Sequence, residues 1–193
     1  MIYINDDISH FDFTASISRL SAQRLNQALR YRHDLGRKLN AAAYLLLRQG
    51  LSVEYGITEP PELGYNEHGK PYVLGHPEVH FNLSHCRVAV VCALSRHPVG
   101  IDVESIRPLN ESLVRYTMND AEVSEIMSSP RPDLAFTCLW TKKEALLKLL
   151  GTGISGKMKD VLQGIATPHT VVELDKGYVY SVAGEEQFMD RYK

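Results

Sequence analysis

The chain has 193 residues, 44% of them hydrophobic and 23% charged, with a formal net charge of −2. A globular chain of this length and composition buries a core without disulfide or metal staples. The near-neutral balance excludes bulk electrostatic binding to nucleic acid or an anionic membrane, so any phosphate-binding surface must be a local basic pocket. Cys86, Cys92 and Cys138 form no CxxC pair and read as free thiols of a reducing compartment. No run of about 18 apolar residues could span a bilayer, and the opening MIYINDDISHF lacks the basic start and apolar core of a signal peptide. A soluble, cytoplasmic protein is the expectation.

In chain order, residues 2–4 read as a short strand stopped by Asn5-Asp6-Asp7. From Ser21, a suitable N-cap, Leu25, Ala28 and Leu29 recur at helical spacing for one buried face. A second helix is predicted over 34–49, with Gly50 placed to end it. Residues 58–75, carrying Pro60, Pro61, Gly64, Gly69 and Pro71, read as loop. Strands are predicted at 79–83, 88–94 and 99–103. Beyond Pro108, residues 109–116 read as helix, and Asn119 or Asp120 caps another through Ile126. Pro130 and Pro132 make a stiff break. The strongest helical pattern covers 134–150, ended by Gly151 with Gly153 behind it. Residues 171–174 and 178–182 alternate as strands. No fixed-period repeat is present, but each half carries a long helix followed by strands.

Four segments carry chemistry. In GIDVE, at 100–104, strand alternation projects Asp102 and Glu104 to one face and Ile101 and Val103 to the core. Two adjacent carboxylates are either a solvated edge or a bridge for a cation, and an oxygen-only donor set suits magnesium. In WTKKEALLK, at 140–148, Trp140, Glu144 and Lys148 lie four apart on one helical stripe. Glu144 and Lys148 read either as a helical ion pair or as a metal ligand or base beside a phosphate contact. FNLSHC, at 81–86, alternates Phe81 and Leu83 inward against Asn82 and Ser84, with His85 at the end. Zinc is disfavoured, since His76, His80 and His85 have no cysteine pair or HExxH arrangement. A Cys86–His85 nucleophile is disfavoured because adjacent strand residues point oppositely. Gly69-Lys70-Pro71-Tyr72 is a turn in which glycine admits a ligand to the backbone and lysine could meet phosphate. Arg24, Arg30, Arg32, Arg37 and Lys38 form either a solvated face or an anion pocket.

The series GKPY, FNLSH, GIDVE and WTKKEALLK, followed by GTGI at 151–154, resembles the surfactin-synthetase-activating type of 4′-phosphopantetheinyl transferase. The resemblance covers 69–154 and reaches more loosely back to Ser21. It implies transfer of 4′-phosphopantetheine from coenzyme A to a serine of an apo acyl or peptidyl carrier protein, with Mg2+, releasing adenosine 3′,5′-bisphosphate. Asp102, Glu104 and Glu144 match the family's magnesium carboxylates, Lys148 its pyrophosphate lysine, and Glu144 also its general base. His85 matches a contact to the ribose 3′-phosphate, and Gly69, Lys70, Pro71 and Ser84 match positions near the adenine end. Arg24, Arg37 and Lys38 fall where the family completes the phosphate pocket. Glu122 matches an acidic position near the metal. Gln27 departs from a second basic residue, Cys86 from a serine, and the chain is shorter than many relatives at its C-terminus.

The implied fold is α+β, with two similar halves, each a helix on a small antiparallel sheet, related by a pseudo-twofold. Residues 1–98 form the adenine and 3′-phosphate side and 99–193 the metal and catalytic side, acting as a monomer. Carrier contacts are expected on a basic and apolar patch from Arg107 to Met118. A magnesium pyrophosphatase would need neither GKPY nor FNLSH; a non-catalytic coenzyme A module or a structural domain would leave the intact carboxylate set unexplained.

Overall fold

The computed structural model describes residues 1–151, 158–163 and 167–184. In the first half, strand β1 (Ile2–Asn5) is followed by helices α1 (Phe13–Ser16) and α2 (Ala22–Leu29), the latter capped by Ser21, whose Oγ accepts from the Arg24 N–H at 3.1 Å. Of the predicted α2 stripe, Ala28 is buried but Leu29 is exposed, and Arg24 is buried instead. Helix α3 (Asp34–Tyr55) runs one and a half turns past the predicted stop. Gly50 lies inside it, not at its end. A Cβ there would come within 2.3 Å of Leu94 Cδ1 and 2.9 Å of the Tyr3 ring, so glycine lets the helix rest directly on the sheet. The helix ends at Gly56, in the left-handed region with φ 69°.

The segment read as loop holds a hairpin, β2 (Leu63–Tyr65) and β3 (Pro71–Val73). Its turn is closed by Asn66 Oδ1, which accepts from the N–H groups of His68 and Lys70. Strands β4 (His80–His85) and β5 (Val90–Ser95) complete an antiparallel sheet of order β1-β5-β4. Val90, Cys92 and Leu94 pack with Leu39, Ala43 and Leu47 of α3. Val91 and Ala93, on the other face, pack with residues of the second half. Burial on both faces explains the unbroken apolar run of β5.

The second half opens with β6 (Val99–Ser105), then α4 (Glu111–Thr117) and α5 (Asp120–Ser128). Asn110 caps α4, and Asn119 with Glu122 forms a reciprocal capping box on α5. Helix α6 (Pro132–Leu150) starts two residues before the predicted point, because proline at the first turn has no N–H to lose. Gly151, φ 70°, ends it as expected, while Gly153 lies outside the described residues. Leu146 and Leu147 are buried as the pattern requires, but Leu150 is 55% exposed. Strands β7 (His169–Glu173) and β8 (Tyr178–Gly184) give a second antiparallel sheet of order β6-β8-β7. Among the described residues no helix is long and apolar enough to cross a membrane.

Two edges meet at one seam. β4 is an edge of the first sheet and β6 of the second, and side chains rather than a backbone ladder join them. Asn82 Oδ1 accepts from the Ile101 N–H at 2.9 Å, and Ser84 Oγ from the Val103 N–H at 3.3 Å. Across β6, Gly100 brings in α6: a Cβ at Gly100 would lie 2.0 Å from Ala145 O and 2.4 Å from Leu149 N. The seam and this close approach place α6, β6 and β4 around one point.

Candidate active site

Strand alternation puts Asp102 on the expected face of β6, but that face is not a solvated edge. Asp102 is 4% exposed. Its Oδ1 accepts from Ser84 Oγ at 2.8 Å and from Lys148 Nζ at 2.6 Å, and Lys148 Nζ also reaches Ser84 Oγ at 2.9 Å. Lys148 therefore makes its close ion pair with Asp102, not with Glu144 four residues earlier. Ser84, read near the adenine end, has its hydroxyl on the carboxylate cluster.

Asp102 Oδ2 and Glu144 Oε1 are buried and have no hydrogen-bond partner among the described residues. Burial pushes the Glu144 carboxyl above its ordinary value and nearby Asp102 adds to it, while Lys148 opposes. Burial and Asp102 likewise raise Glu104, against Arg107, a hydrogen bond with Trp140, and Lys148. A divalent cation would satisfy both orphaned oxygens and remove the mutual repulsion, and an all-carboxylate donor set suits magnesium. In donor chemistry these residues suit such an ion. Among the described residues no group of three His, Cys, Asp or Glu side chains is already assembled to hold a metal.

Gly69, Lys70 and Pro71 share a cavity of about 270 Å³ with Glu144, Lys148 and Gly151, so the turn and the α6 stripe face one another. The Lys70 ammonium is turned to the end of α6, donating to Lys148 O at 2.6 Å and Leu149 O at 3.3 Å. Burial holds its pKa below the ordinary lysine value. His85, exposed at the end of β4, feels the same cluster: desolvation by its neighbours, then the Lys148 charge, push its imidazole pKa down, and Asp102 acts against them.

The basic residues of the first half divide. Arg24 is buried, with its guanidinium 5.2 Å from the Tyr44 ring centroid, and burial lowers its pKa. Arg37 donates from Nε to Tyr31 O at 3.0 Å on the α2 side. Lys38, the next residue, points elsewhere on the helix: it pairs with Asp34 at 3.5 Å and lines a separate cavity of about 530 Å³ with Arg87 and Lys176. Among the described residues, Lys38 lines that cavity and not the one shared by Gly69, Lys70 and Pro71.

Two features escaped the sequence reading. Lys143, beside Glu144, is fully buried and donates to Glu122 Oε2 at 2.6 Å, Thr117 O at 3.1 Å, Met158 O at 2.9 Å and Lys159 O at 3.0 Å. Glu122 is thus engaged by a buried ammonium and by its own capping box. Nothing within WTKKEALLK marks Lys143 for burial, since its partners Thr117, Glu122 and Met158 lie 15 to 26 residues away in the chain. Second, Glu104, Arg107, Leu113 and Trp140 line a cavity of about 370 Å³, which makes Trp140 a wall of the site as well as a packing partner of Phe136, 5.9 Å away. Cys86 is buried in the core and lines none of these three cavities.

The profile of the 4′-phosphopantetheinyl transferase superfamily matches residues 98–182, the span from β6 to β8 that carries the carboxylates. A 4′-phosphopantetheinyl transferase of Bacillus subtilis is 28% identical over 159 residues, 80% of this chain and 70% of the relative. The 4′-phosphopantetheinyl transferase Sfp of Bacillus subtilis (strain 168) is 26% identical over 80% of this chain and 70% of its own length. AcpT of Salmonella typhi, also a 4′-phosphopantetheinyl transferase, is 36% identical over 70% of this chain and 71% of its own length. With the motifs in family order along a chain folded this way, the protein belongs to the 4′-phosphopantetheinyl transferase superfamily, in its Sfp type.

Proposed function

We propose that the protein transfers 4′-phosphopantetheine from coenzyme A to a serine of an apo acyl or peptidyl carrier protein, releasing adenosine 3′,5′-bisphosphate. One observation carries this reading: two buried carboxylate oxygens without a partner among the described residues, and the Lys148 ammonium, stand in the same seam as the Gly69–Pro71 turn. Asp102, Glu104 and Glu144 would hold Mg2+, which when bound offsets the charge that develops on the pyrophosphate.

The chain's own residues do the rest. Lys148 gives its ammonium to the pyrophosphate, and Ser84 keeps Asp102 oriented by donating to Oδ1. Gly69 and Pro71 present backbone to the adenine, while Lys70 fixes the last turn of α6 so that Lys148 reaches from a set position. His85 and Arg24 meet the 3′-phosphate, and Arg37 and Lys38 supply positive charge from the start of α3. Glu144, its pKa raised by burial, is suited to take the proton of the attacking serine. The serine oxygen bonds to the pantetheine-bearing phosphorus, and the bond from that phosphorus to the bridging oxygen breaks, so the departing bisphosphate keeps the electron pair.

The two halves, 1–98 and 99–193, each with a helix on a three-stranded sheet, are read as related by a pseudo-twofold and as working together in a cytoplasmic monomer. On the carrier side, Arg107 and Leu113 line the cavity beside Glu104, and Tyr116 is 80% exposed on α4. Met118, fully buried, is not available to a partner. Adenosine 3′,5′-bisphosphate should appear from coenzyme A only when apo carrier and Mg2+ are both present. Release without carrier would point to a pyrophosphatase instead.

A further inference from the structure

In the free chain Lys148 is the resident counter-ion of the carboxylate cluster. Its ammonium holds Asp102 Oδ1 and Ser84 Oγ, while Asp102 Oδ2 and Glu144 Oε1 stay unpartnered among the described residues. An ammonium and a divalent cation at the same buried carboxylate repel each other in a medium that screens poorly. One must leave for the other to bind well.

Lys148 is built to leave. It sits in the last turn of α6, its side chain 28% exposed, and lines the cavity that opens toward Gly69–Pro71. Its backbone carbonyl is held by the Lys70 ammonium, so the flexible side chain can swing while the helix end stays fixed. A compact ammonium on a four-carbon stem exchanges one anion for another without the planar geometry an arginine demands.

We propose that Lys148 is a stand-in cation: it occupies Asp102 until a pyrophosphate-bearing ligand draws its ammonium away, so metal and coenzyme A bind with positive coupling. This rests on the reading of the site as one for Mg2+ and coenzyme A, and adds how its two occupants depend on each other. By linkage the coupling is reciprocal: each ligand tightens the other by the same factor. In the free protein Lys148 limits the affinity for metal alone.

The test measures Mn2+ binding by the full chain by electron paramagnetic resonance, with and without coenzyme A, no carrier being present, so nothing turns over. Coenzyme A should tighten Mn2+ binding to the natural protein by about tenfold, within the usual range of coupling between sites. Lys148→Met should bind Mn2+ alone about tenfold more tightly than the natural protein does, and coenzyme A should then tighten it less than it tightens the natural protein. Lys148→Arg, which keeps a cation on Asp102, should restore weak binding of metal alone, and Lys148→Gln replaces the Met variant if that does not fold. If Lys148→Met binds Mn2+ alone no more tightly than the natural protein, while coenzyme A still tightens the natural protein, the stand-in role is overturned and the proposed function stands. If the natural protein binds no Mn2+ under either condition, the metal site itself is refuted and the proposal falls with it.

Discussion

Lys143 Nζ lies 2.6 Å from Glu122 Oε2 in a pair that is almost wholly buried, beside Glu144 of the α6 stripe. Around it the same ammonium gathers the carbonyls of Thr117, Met158 and Lys159, so one side chain ties α6 to the α4–α5 junction and to the chain that follows α6. Removing one member of a buried pair strands the other. Glu122→Leu or Lys143→Met should each cost about 3–5 kcal/mol of unfolding free energy, read from urea midpoints. The double variant Glu122→Leu/Lys143→Met should cost less than the sum of the two. Additive losses would mean that the pair does not act as a unit.

Gly100 makes a second, sharper demand. Its neighbours are backbone atoms of α6, which cannot rotate aside as a side chain can. Gly100→Ala should lower stability by about 1–3 kcal/mol through overpacking. It should also lower transfer, because the displaced helix carries Glu144 and Lys148. Urea denaturation and the initial rate of carrier modification check both; unchanged values for either would contradict the close approach.

Glu144 holds a buried oxygen that has no partner among the described residues. Glu144→Gln removes the charge while keeping the shape, so the variant should unfold at a higher temperature than the natural protein without metal. Its transfer rate should fall by about a hundredfold or more, the scale of a lost general base. Thermal unfolding and carrier-loading rates make the comparison. A variant that is less stable and fully active would contradict both assignments.

Asp6 ties the end of β1 to the β7–β8 hairpin, accepting from Lys176 Nζ at 2.6 Å and Tyr178 Oη at 2.9 Å. The hydrogen bond from Lys176 first, then that from Tyr178, holds the Asp6 carboxyl below its ordinary value of 3.8, against some desolvation. A depressed folded pKa means stability that is present above 3.8 and lost as pH falls through the lower, folded value. The stability difference between the natural protein and Asp6→Asn should hold steady from neutral pH down to about 5 and close below 3.8. Urea midpoints across that range give the answer, and a gap that persists at the acid end would remove the ion pair as its cause.

How much of this was readable from the sequence depends on the range of the interaction. Asp102 and Glu104 on one face of β6, the caps at Ser21 and Asn119, and the stop at Gly151 follow from spacing within a few residues, and the structure has them there. Gly50 shows the limit: as a local signal it ends a helix, but in the fold it is the point where α3 touches Tyr3 and Leu94. The same holds in the site. That Lys148 would choose Asp102, 46 residues away, over Glu144 on its own helix depends on β6 lying against α6. Ser84 on Asp102, Lys70 on the α6 carbonyls and Lys143 on Glu122 are likewise long-range contacts without a local pattern. The β2–β3 hairpin was hidden by its prolines and glycines, which mark turns more strongly than three-residue strands mark a sheet.

The measurement that bears most directly on the central claim is the intact mass of an apo carrier protein incubated with this chain, coenzyme A and Mg2+. A gain of one phosphopantetheine unit, mapped to a single serine and abolished by Asp102→Asn and Glu144→Gln, is the result expected. Unchanged carrier mass across acyl and peptidyl carriers, with the protein folded and coenzyme A intact, would contradict it.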